Sequence, residues 1–146
     1  MTIDDAFDVE ATLERVWPVL KDVPRVATCI PNAEITEVVD ERTFRAKVAV
    51  KVGPVSVSYR ATIVVESFDD AAHVATLTVK GDELRGRGGV TATIVSTATA
   101  HGATTHVTLR TDAQISGIIA TVGGRLIEGV AQKTVAAFAA NLSRLV

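Results

Sequence analysis

The feature that most constrains the fold is an alternation of apolar and polar residues that runs through positions 33–112. It is clearest over residues 43–52, where apolar residues at the even positions are separated by Arg45, Lys47 and Lys51. Because successive side chains of a strand point to opposite faces, this pattern predicts a half-buried antiparallel strand with a charged outer face. A Gly-Pro pair at residues 53–54 predicts a tight turn, after which the alternation resumes over residues 55–66.

The rest of the alternating region predicts a continuing meander. A turn is expected at residues 68–70 and a strand over residues 73–80, followed by a Gly-Asp pair that is expected to end that strand. Two further strands are predicted over residues 89–99 and 104–112. About six antiparallel strands therefore follow one another along the chain.

Before and after these strands in the sequence, the apolar residues follow other spacings. Residues 3–9 predict a first strand, and residues 13–20 and 22–30 predict two short helices, the first with a threonine as its N-cap. Two apolar rows at helical spacing over residues 118–145 predict one long helix. Gly123 and Gly124 within it indicate a close approach to the sheet or a kink, or else space for a ligand or a hinge. A strand, two short helices, a meander and a closing helix thus succeed one another in the sequence.

This order of elements predicts an α+β domain with a helix-grip fold. A curved antiparallel sheet would wrap around the long C-terminal helix, with the two short helices after the first strand. The chain of 146 residues suffices for a single domain, 1–146, with a proper core. The residues available between sheet and helix are mostly Val, Ala, Ile and Thr, which predicts an apolar cavity; the alternative is that they close into a packed core.

Composition excludes several classes of function. A net charge of -2 and 4% aromatic residues argue against binding to nucleic acid, which needs clustered basic and stacking residues. The single cysteine, Cys29, allows neither an internal disulfide nor a cysteine-based zinc site. The acidic N-terminus does not match a secretory signal, and no apolar run reaches the length of a membrane span. We therefore expect a cytoplasmic location.

Three sequence segments carry a family resemblance. Residues 15–34 read RVWPVLKDVPRVATCIPNAE, residues 51–55 read KVGPV and residues 122–127 read VGGRLI. Together they resemble the family of the G subunit of carbon monoxide dehydrogenase, within the START-like, or SRPBCC, superfamily, and the likeness covers essentially the whole chain. Two departures are mild: Asn32 stands where a glycine is usual, and Ala139 replaces a second aromatic residue.

The resemblance implies an accessory protein of an aerobic molybdenum carbon monoxide dehydrogenase. Such a protein would bind a hydrophobic ligand, a membrane quinone or lipid, and link the dehydrogenase complex to the membrane or the respiratory chain. It implies no covalently bound cofactor; the quinone, such as menaquinone, would be held without a covalent bond. Members of the family often continue into a C-terminal segment that contacts the membrane, so a peripheral position at the inner face of the cell membrane is expected if this chain is a shortened form.

The sequence contains little that would support catalysis. His73, His101 and His106 have no acidic residue at a spacing that forces contact, and Cys29 is expected to be a small buried residue. The glycine-rich residues 86–89 lack the context of a phosphate-binding loop and are predicted to form a turn or a bend in the sheet. No carboxylate or histidine is expected on the inner face of the sheet, so we predict that the protein is not an enzyme and binds no metal.

Two other functions remain open. The chain could be a ligand-free docking or assembly factor for the dehydrogenase, with a filled core. It could also be a START-like cyclase or dehydratase, in which polar groups of the cavity perform acid-base chemistry.

The predicted ligand site follows from the inward rows of the strands and the long helix. Gly123 is expected to leave clearance within the helix, Trp17 and Ile30 to lie near one end of the site, and the hydroxyl of Tyr59 to hydrogen-bond a quinone carbonyl. The predicted lining residues are Trp17, Ile30, Val48, Val50, Val57, Tyr59, Leu77, Val79, Val90, Gly123, Leu126, Ile127 and Val130.

Overall fold

The computed structural model describes residues 1–146. One antiparallel sheet of seven strands has the order β1-β7-β6-β5-β4-β3-β2. The strands and helices are β1 (Thr2–Val9), α1 (Leu13–Leu20), α2 (Val23–Ala27), β2 (Ala33–Val38), β3 (Thr43–Val52), β4 (Val55–Asp69), β5 (Val74–Glu83), β6 (Gly89–His101), β7 (Thr104–Ile115) and α3 (Gly124–Leu145).

The predicted meander is confirmed, with six consecutive strands after the short helices. Antiparallel pairing places Val48 of β3 opposite Tyr59 of β4, and Val50 opposite Val57, so their apolar side chains share the inner face of the sheet. The Gly53-Pro54 turn joins these strands, and Gly53 has a φ of +58°, a conformation that favours glycine. The first strand closes the other edge by pairing with β7.

Strand β5 is longer than the sequence predicted. Gly81 and Asp82 do not end it; they continue the pairing with β4, and the turn follows Glu83. Gly81 pairs with Ala61 of β4, and a Cβ there would make ordinary contact with Tyr59 at 3.7 Å. The extension matters because it brings Glu83 directly opposite Tyr59 on the inner face.

The two short helices form as predicted, with one difference in capping. Asp22 caps α2, since its carboxylate accepts a hydrogen bond of 3.3 Å from the backbone N–H of Arg25. Thr12 precedes α1 in an extended conformation, but its side chain makes no capping hydrogen bond. Val16 and Val19 of α1 are buried against the sheet beneath the end of α3.

The C-terminal helix is not continuous over residues 118–145. A 3-10 turn (Ile119–Val122) is separated from α3 by Gly123, whose φ of +91° cannot continue a helix. From there α3 runs along β1. Its first residue, Gly124, lies beside Met1, and further along the rings of Phe138 and Phe7 meet edge to face at 5.5 Å.

Candidate ligand-binding site

The buried core is divided into three clusters rather than one. The largest surrounds Leu142 and Phe138 of α3, the second surrounds Val57 and Tyr59 at the turn end of β3 and β4, and the third surrounds Phe44. A domain usually has one contiguous core with smaller satellite clusters. The second and third clusters are such satellites, and the larger apolar side chains between the clusters are only partly buried.

Inner-face residues between the clusters remain partly exposed, although they point toward α3. The backbone of α3 lies nearest β1 and β3, on the two sides of the sheet, so the sheet curves and its middle strands stand away from the helix. The partly exposed residues of this uncovered inner surface include Val48, Ile63, Leu77, Val79, Ala92, Ile94 and, on α3, Ile127 and Val130.

The structure brings about half of the predicted lining residues together. They belong to the second cluster. In this cluster the β3–β4 hairpin contacts the 3-10 helix and the N-terminal part of α3. Of these predicted residues, Tyr59 and Val57 are buried and the remaining four are partly exposed. The predicted residues in this cluster are Val50, Val57, Tyr59, Val90, Ile127 and Val130.

Other predicted lining residues lie elsewhere. Leu77 packs against the third cluster and Ile30 against the first. Val48 and Val79 lie on the uncovered inner surface between the clusters. Leu126 is 47% exposed and packs over the Gly53 turn rather than inside the molecule.

Gly123 and Trp17 have structural roles in the fold. A Cβ on Gly123 would meet nothing within 4 Å, so the glycine is required by its positive φ and not for clearance. Trp17 joins α1 to the turn between β4 and β5, since its Nε1–H donates to Asp70 Oδ1 at 2.9 Å. Its ring meets Phe68 and His73 edge to face.

A polar group that sequence analysis missed lies at the edge of the second cluster. The side chain of Glu83 is 1% exposed and faces inward, contrary to the expectation that no carboxylate would do so. Its Oε1 accepts hydrogen bonds from Nε of Arg87 at 2.9 Å and from the backbone N–H of Arg87 at 3.0 Å. Continuing the alternation of β5 through Gly81 would have placed Glu83 on the inner face.

These contacts set the protonation of the group. The hydrogen bond from the Arg87 guanidinium lowers the pKa of Glu83 below its ordinary value of 4.5, so the carboxylate is ionised at neutral pH. Burial, and then the negative charge of Glu83, raises the pKa of Tyr59 above its ordinary value of 10.0. Tyr59 therefore keeps its proton at neutral pH and can donate it in a hydrogen bond to a carbonyl oxygen.

The remaining histidines and the cysteine form no reactive arrangement. His106 Nδ1 lies 2.8 Å from Asp8 Oδ1, a contact created by the pairing of β1 with β7, and the ring of His101 stacks on His106. Cys29 is buried, as predicted. No cluster of three or more metal-ligating side chains is present.

Broad surface depressions lie on the other side of the sheet. Two open troughs, about 700 and 670 Å³ in volume, cross the outer face between rows of threonine, serine and basic side chains. Three predicted site residues border them, Val79 at the first trough and Val50 and Val57 at the second. None of the helices has the length and apolar character required to traverse a lipid bilayer.

Solved structures identify the class of fold. A conserved protein from Geobacillus kaustophilus is similar with a TM-score of 0.86 and 25% identity, over 99% of this chain and 93% of that one. A START superfamily protein from Mycobacterium smegmatis has a TM-score of 0.66 and 14% identity, over 99% and 96%. The Zhui aromatase/cyclase from Streptomyces sp. R1128 has a TM-score of 0.66 and 17% identity, over 99% and 92%. The chain therefore has the START-like helix-grip fold.

Comparison of the sequence with family models identifies the family to which the chain belongs. The model of the CoxG family, the G subunit of carbon monoxide dehydrogenase, matches residues 6–146. The chain belongs to this family, which assigns it an accessory role beside carbon monoxide dehydrogenase. No curated protein matches the chain in sequence.

Proposed function

We propose that this protein is a carrier that binds a hydrophobic molecule, a membrane quinone, between the sheet and α3. The observation that carries the proposal is the apolar inner surface of the middle strands, which the chain's own side chains leave uncovered. Covering such a surface stabilises a complex by about 25 cal/mol for each Å² removed from water. An isoprenoid chain matches it because both surfaces are apolar and neither requires a hydrogen-bonding partner.

The polar side chains of Tyr59, Glu83 and Arg87 lie near the turn between β3 and β4, where they could contact the polar head of such a ligand. Tyr59 is only 7% exposed, but no buried side-chain polar atom lacks a hydrogen-bonding partner, so its unpaired hydroxyl lies where solvent or a ligand can reach it. Its hydroxyl would donate to a quinone carbonyl, while the tail extends along residues such as Val79 and Ile94. The Glu83–Arg87 pair would keep this end of the site polar and so favour one orientation of the ligand.

The carrier would link the dehydrogenase to the membrane or the respiratory chain. Membership of the CoxG family supports the accessory role, and a bound quinone would give it a physical basis, because the quinone could accept electrons from the dehydrogenase and return to the bilayer. The quinone is held without a covalent bond in this proposal, and the protein itself performs no catalysis. A ligand-free docking factor would instead need a filled interior.

A second candidate function is a START-like cyclase or dehydratase, favoured by the inward carboxylate of Glu83. An acid-base catalyst works best when its pKa lies near the working pH. The Arg87 contact moves the pKa of Glu83 in the opposite direction, since it holds the carboxylate in its ionised form. The carrier therefore agrees better with the charge state of this group.

Native mass spectrometry of the purified protein, followed by organic extraction, tests the proposal. We expect an isoprenoid quinone in a one-to-one complex, or its uptake when it is added. A protein that carries no ligand and takes up no added quinone would support the docking factor. A bound polar metabolite would support the enzyme.

A further inference from the structure

Two histidines and an aspartate meet at the end of the sheet that lies away from Tyr59. Val90, near the start of β6, packs against the second cluster, whereas His101 is the last residue of this strand. The ring of His101 lies parallel to that of His106 of β7, with 5.3 Å between the centroids and 5° between the planes. We call His101 and His106 the histidine pair. Asp8 of β1 lies directly opposite His106 in the sheet.

These side chains share the outer face of the sheet. Asp8 and His106 are paired residues of β1 and β7, so their side chains point to the same side. Their neighbours Val9 and Val107 point to the other side and are fully buried in the largest cluster. The side chains of His106 and Asp8 are 34% and 60% exposed, and His101 is exposed as well. Dissolved ions can therefore reach the histidine pair.

Asp8 determines which nitrogen of His106 is free. Its Oδ1 lies 2.8 Å from Nδ1 of His106. A carboxylate only accepts hydrogen bonds, so Nδ1 carries the proton of the neutral ring and Nε2 keeps an unshared electron pair. Histidines that bind metal ions nearly always have this arrangement, in which the second nitrogen donates to a carboxylate or a carbonyl. Asp8 forms no ion pair with any Lys or Arg, so no cation of the chain competes for it.

His101 offers a second nitrogen at a suitable distance. Bonds from zinc to imidazole nitrogen are about 2.0–2.1 Å long, so two nitrogens on one ion lie little more than about 3 Å apart. Rings whose centroids are 5.3 Å apart reach this separation after a rotation of the exposed His101 side chain. His106 stays in place during this rotation because Asp8 holds it.

We propose that the histidine pair binds a divalent ion of a late first-row transition metal, such as Zn²⁺ or Ni²⁺. Nε2 of His106 and one ring nitrogen of His101 would be the protein ligands, and water would complete the coordination. Asp8 would be a positioning residue that orients His106 without touching the ion. Imidazole suits these metals, whereas Mg²⁺ and Ca²⁺ prefer oxygen ligands.

This proposal departs from the expectation, drawn from the sequence, that no metal is bound. Asp8 and His106 are 98 residues apart in the chain, so only the pairing of β1 with β7 brings them together. The site has two protein ligands, fewer than the three or four of typical zinc sites, which agrees with the absence of any larger group of metal-ligating side chains. It lies on the outer face and is independent of the proposed carrier function.

Isothermal titration calorimetry of the full chain, without an added histidine tag, tests the site. We expect one Zn²⁺ or Ni²⁺ ion to bind per chain, and no binding of Mg²⁺ under the same conditions. Asp8→Ala should weaken Zn²⁺ binding about 10- to 100-fold, the usual effect of losing a carboxylate that orients a ligand. His101→Gln and His106→Gln should weaken it at least as much, because each removes a ligand.

Two matched variants control for the loss of a histidine or a charge elsewhere. His73→Gln replaces the third histidine of the chain, which lies in the turn between β4 and β5. Asp4→Ala removes a carboxylate from the same face of β1, about 13 Å from Asp8 at the usual rise of a strand. Both variants should bind Zn²⁺ as the unmodified protein does. Circular dichroism verifies that every variant is folded.

Several results would overturn the proposal. If the unmodified protein binds neither Zn²⁺ nor Ni²⁺, the histidine pair is not a metal site. Equal weakening in a folded His73→Gln protein would show that the binding is nonspecific. Binding of Mg²⁺ as tight as that of Zn²⁺ would assign the attraction to carboxylates, and unchanged affinity in Asp8→Ala would contradict its positioning role. None of these results depends on whether the protein takes up a quinone.

Discussion

The two halves of α3 meet the same sheet in different ways. In the C-terminal half, Phe138 and Leu142 are buried, and Leu142 is 0% exposed within the largest cluster. In the N-terminal half, Leu126 is exposed and Ile127 and Val130 are only partly covered. The comparison teaches that one end of the helix is packed into the core while the other is only partly covered, and we propose that the partly covered end binds ligand.

The largest expected effect compares two leucines on this helix. Leu142→Ala should lower the free energy of unfolding by about 3 kcal/mol, because it leaves a cavity in a packed cluster. Leu126→Ala should change it by about 0.5 kcal/mol or less, since much of that side chain already meets water. Urea unfolding of both variants measures the difference. Equal losses would show that the two halves are packed alike.

Enlarging side chains tests the same difference from the other direction. Val107→Phe, in the fully buried cluster, should destabilise the protein by about 1–3 kcal/mol through overpacking. Val130→Phe should cost much less in stability and should reduce quinone uptake, because the ring would occupy the open interior. Thermal unfolding and a binding titration measure the two effects. A Val130→Phe protein that fails to fold would indicate a packed core at that position.

The polar end of the open half gives a smaller effect. Tyr59→Phe should weaken quinone binding by about 1 kcal/mol, the contribution of one hydrogen bond, and should leave the fold intact. Tyr59 is the only tyrosine, so ultraviolet titration of the unmodified protein reports its pKa alone, and we expect a value above the ordinary 10.0. Unchanged affinity in the variant would remove Tyr59 from the site.

The smallest expected effect concerns pH. Because the pKa of Glu83 is lowered in the folded state, its ionisation stabilises the fold above the unfolded pKa near 4.5, and this contribution is lost as pH falls through the folded pKa. Glu83→Gln removes this dependence. Urea unfolding at pH 7 and pH 3 should therefore show a smaller loss on acidification in the variant. An identical loss in both proteins would mean that the Arg87 contact does not form in solution.

The sequence predicted those parts of the fold that depend on local pattern. The strands follow from side-chain alternation, and α2 from Asp22 and its neighbouring proline, because both signals lie within a few residues. A kink at Gly123 was one of several alternatives that the sequence left open, since glycine is compatible with a helix as well as with a positive φ. Gly81 was predicted to end a strand, since glycine is common in turns, but it pairs within β5.

The site was harder to predict because it depends on how distant elements approach one another. The inward rows of β3 and β4 could be identified from the sequence, and they supplied Val57 and Tyr59. The curvature that separates α3 from the middle strands depends on the whole sheet and has no local signal. The position of Glu83 depended on one strand boundary, so a strand end predicted three residues too early concealed this inward glutamate.

The most direct test of the open interior is methyl NMR of the protein titrated with a short-chain quinone. We predict that resonances of residues such as Ile94, Ile127 and Val130 shift, while those of Val107 and Leu142 stay in place. Shifts confined to the outer face of the sheet, or equal shifts in both halves of α3, would contradict a ligand site between the sheet and the N-terminal half of the helix.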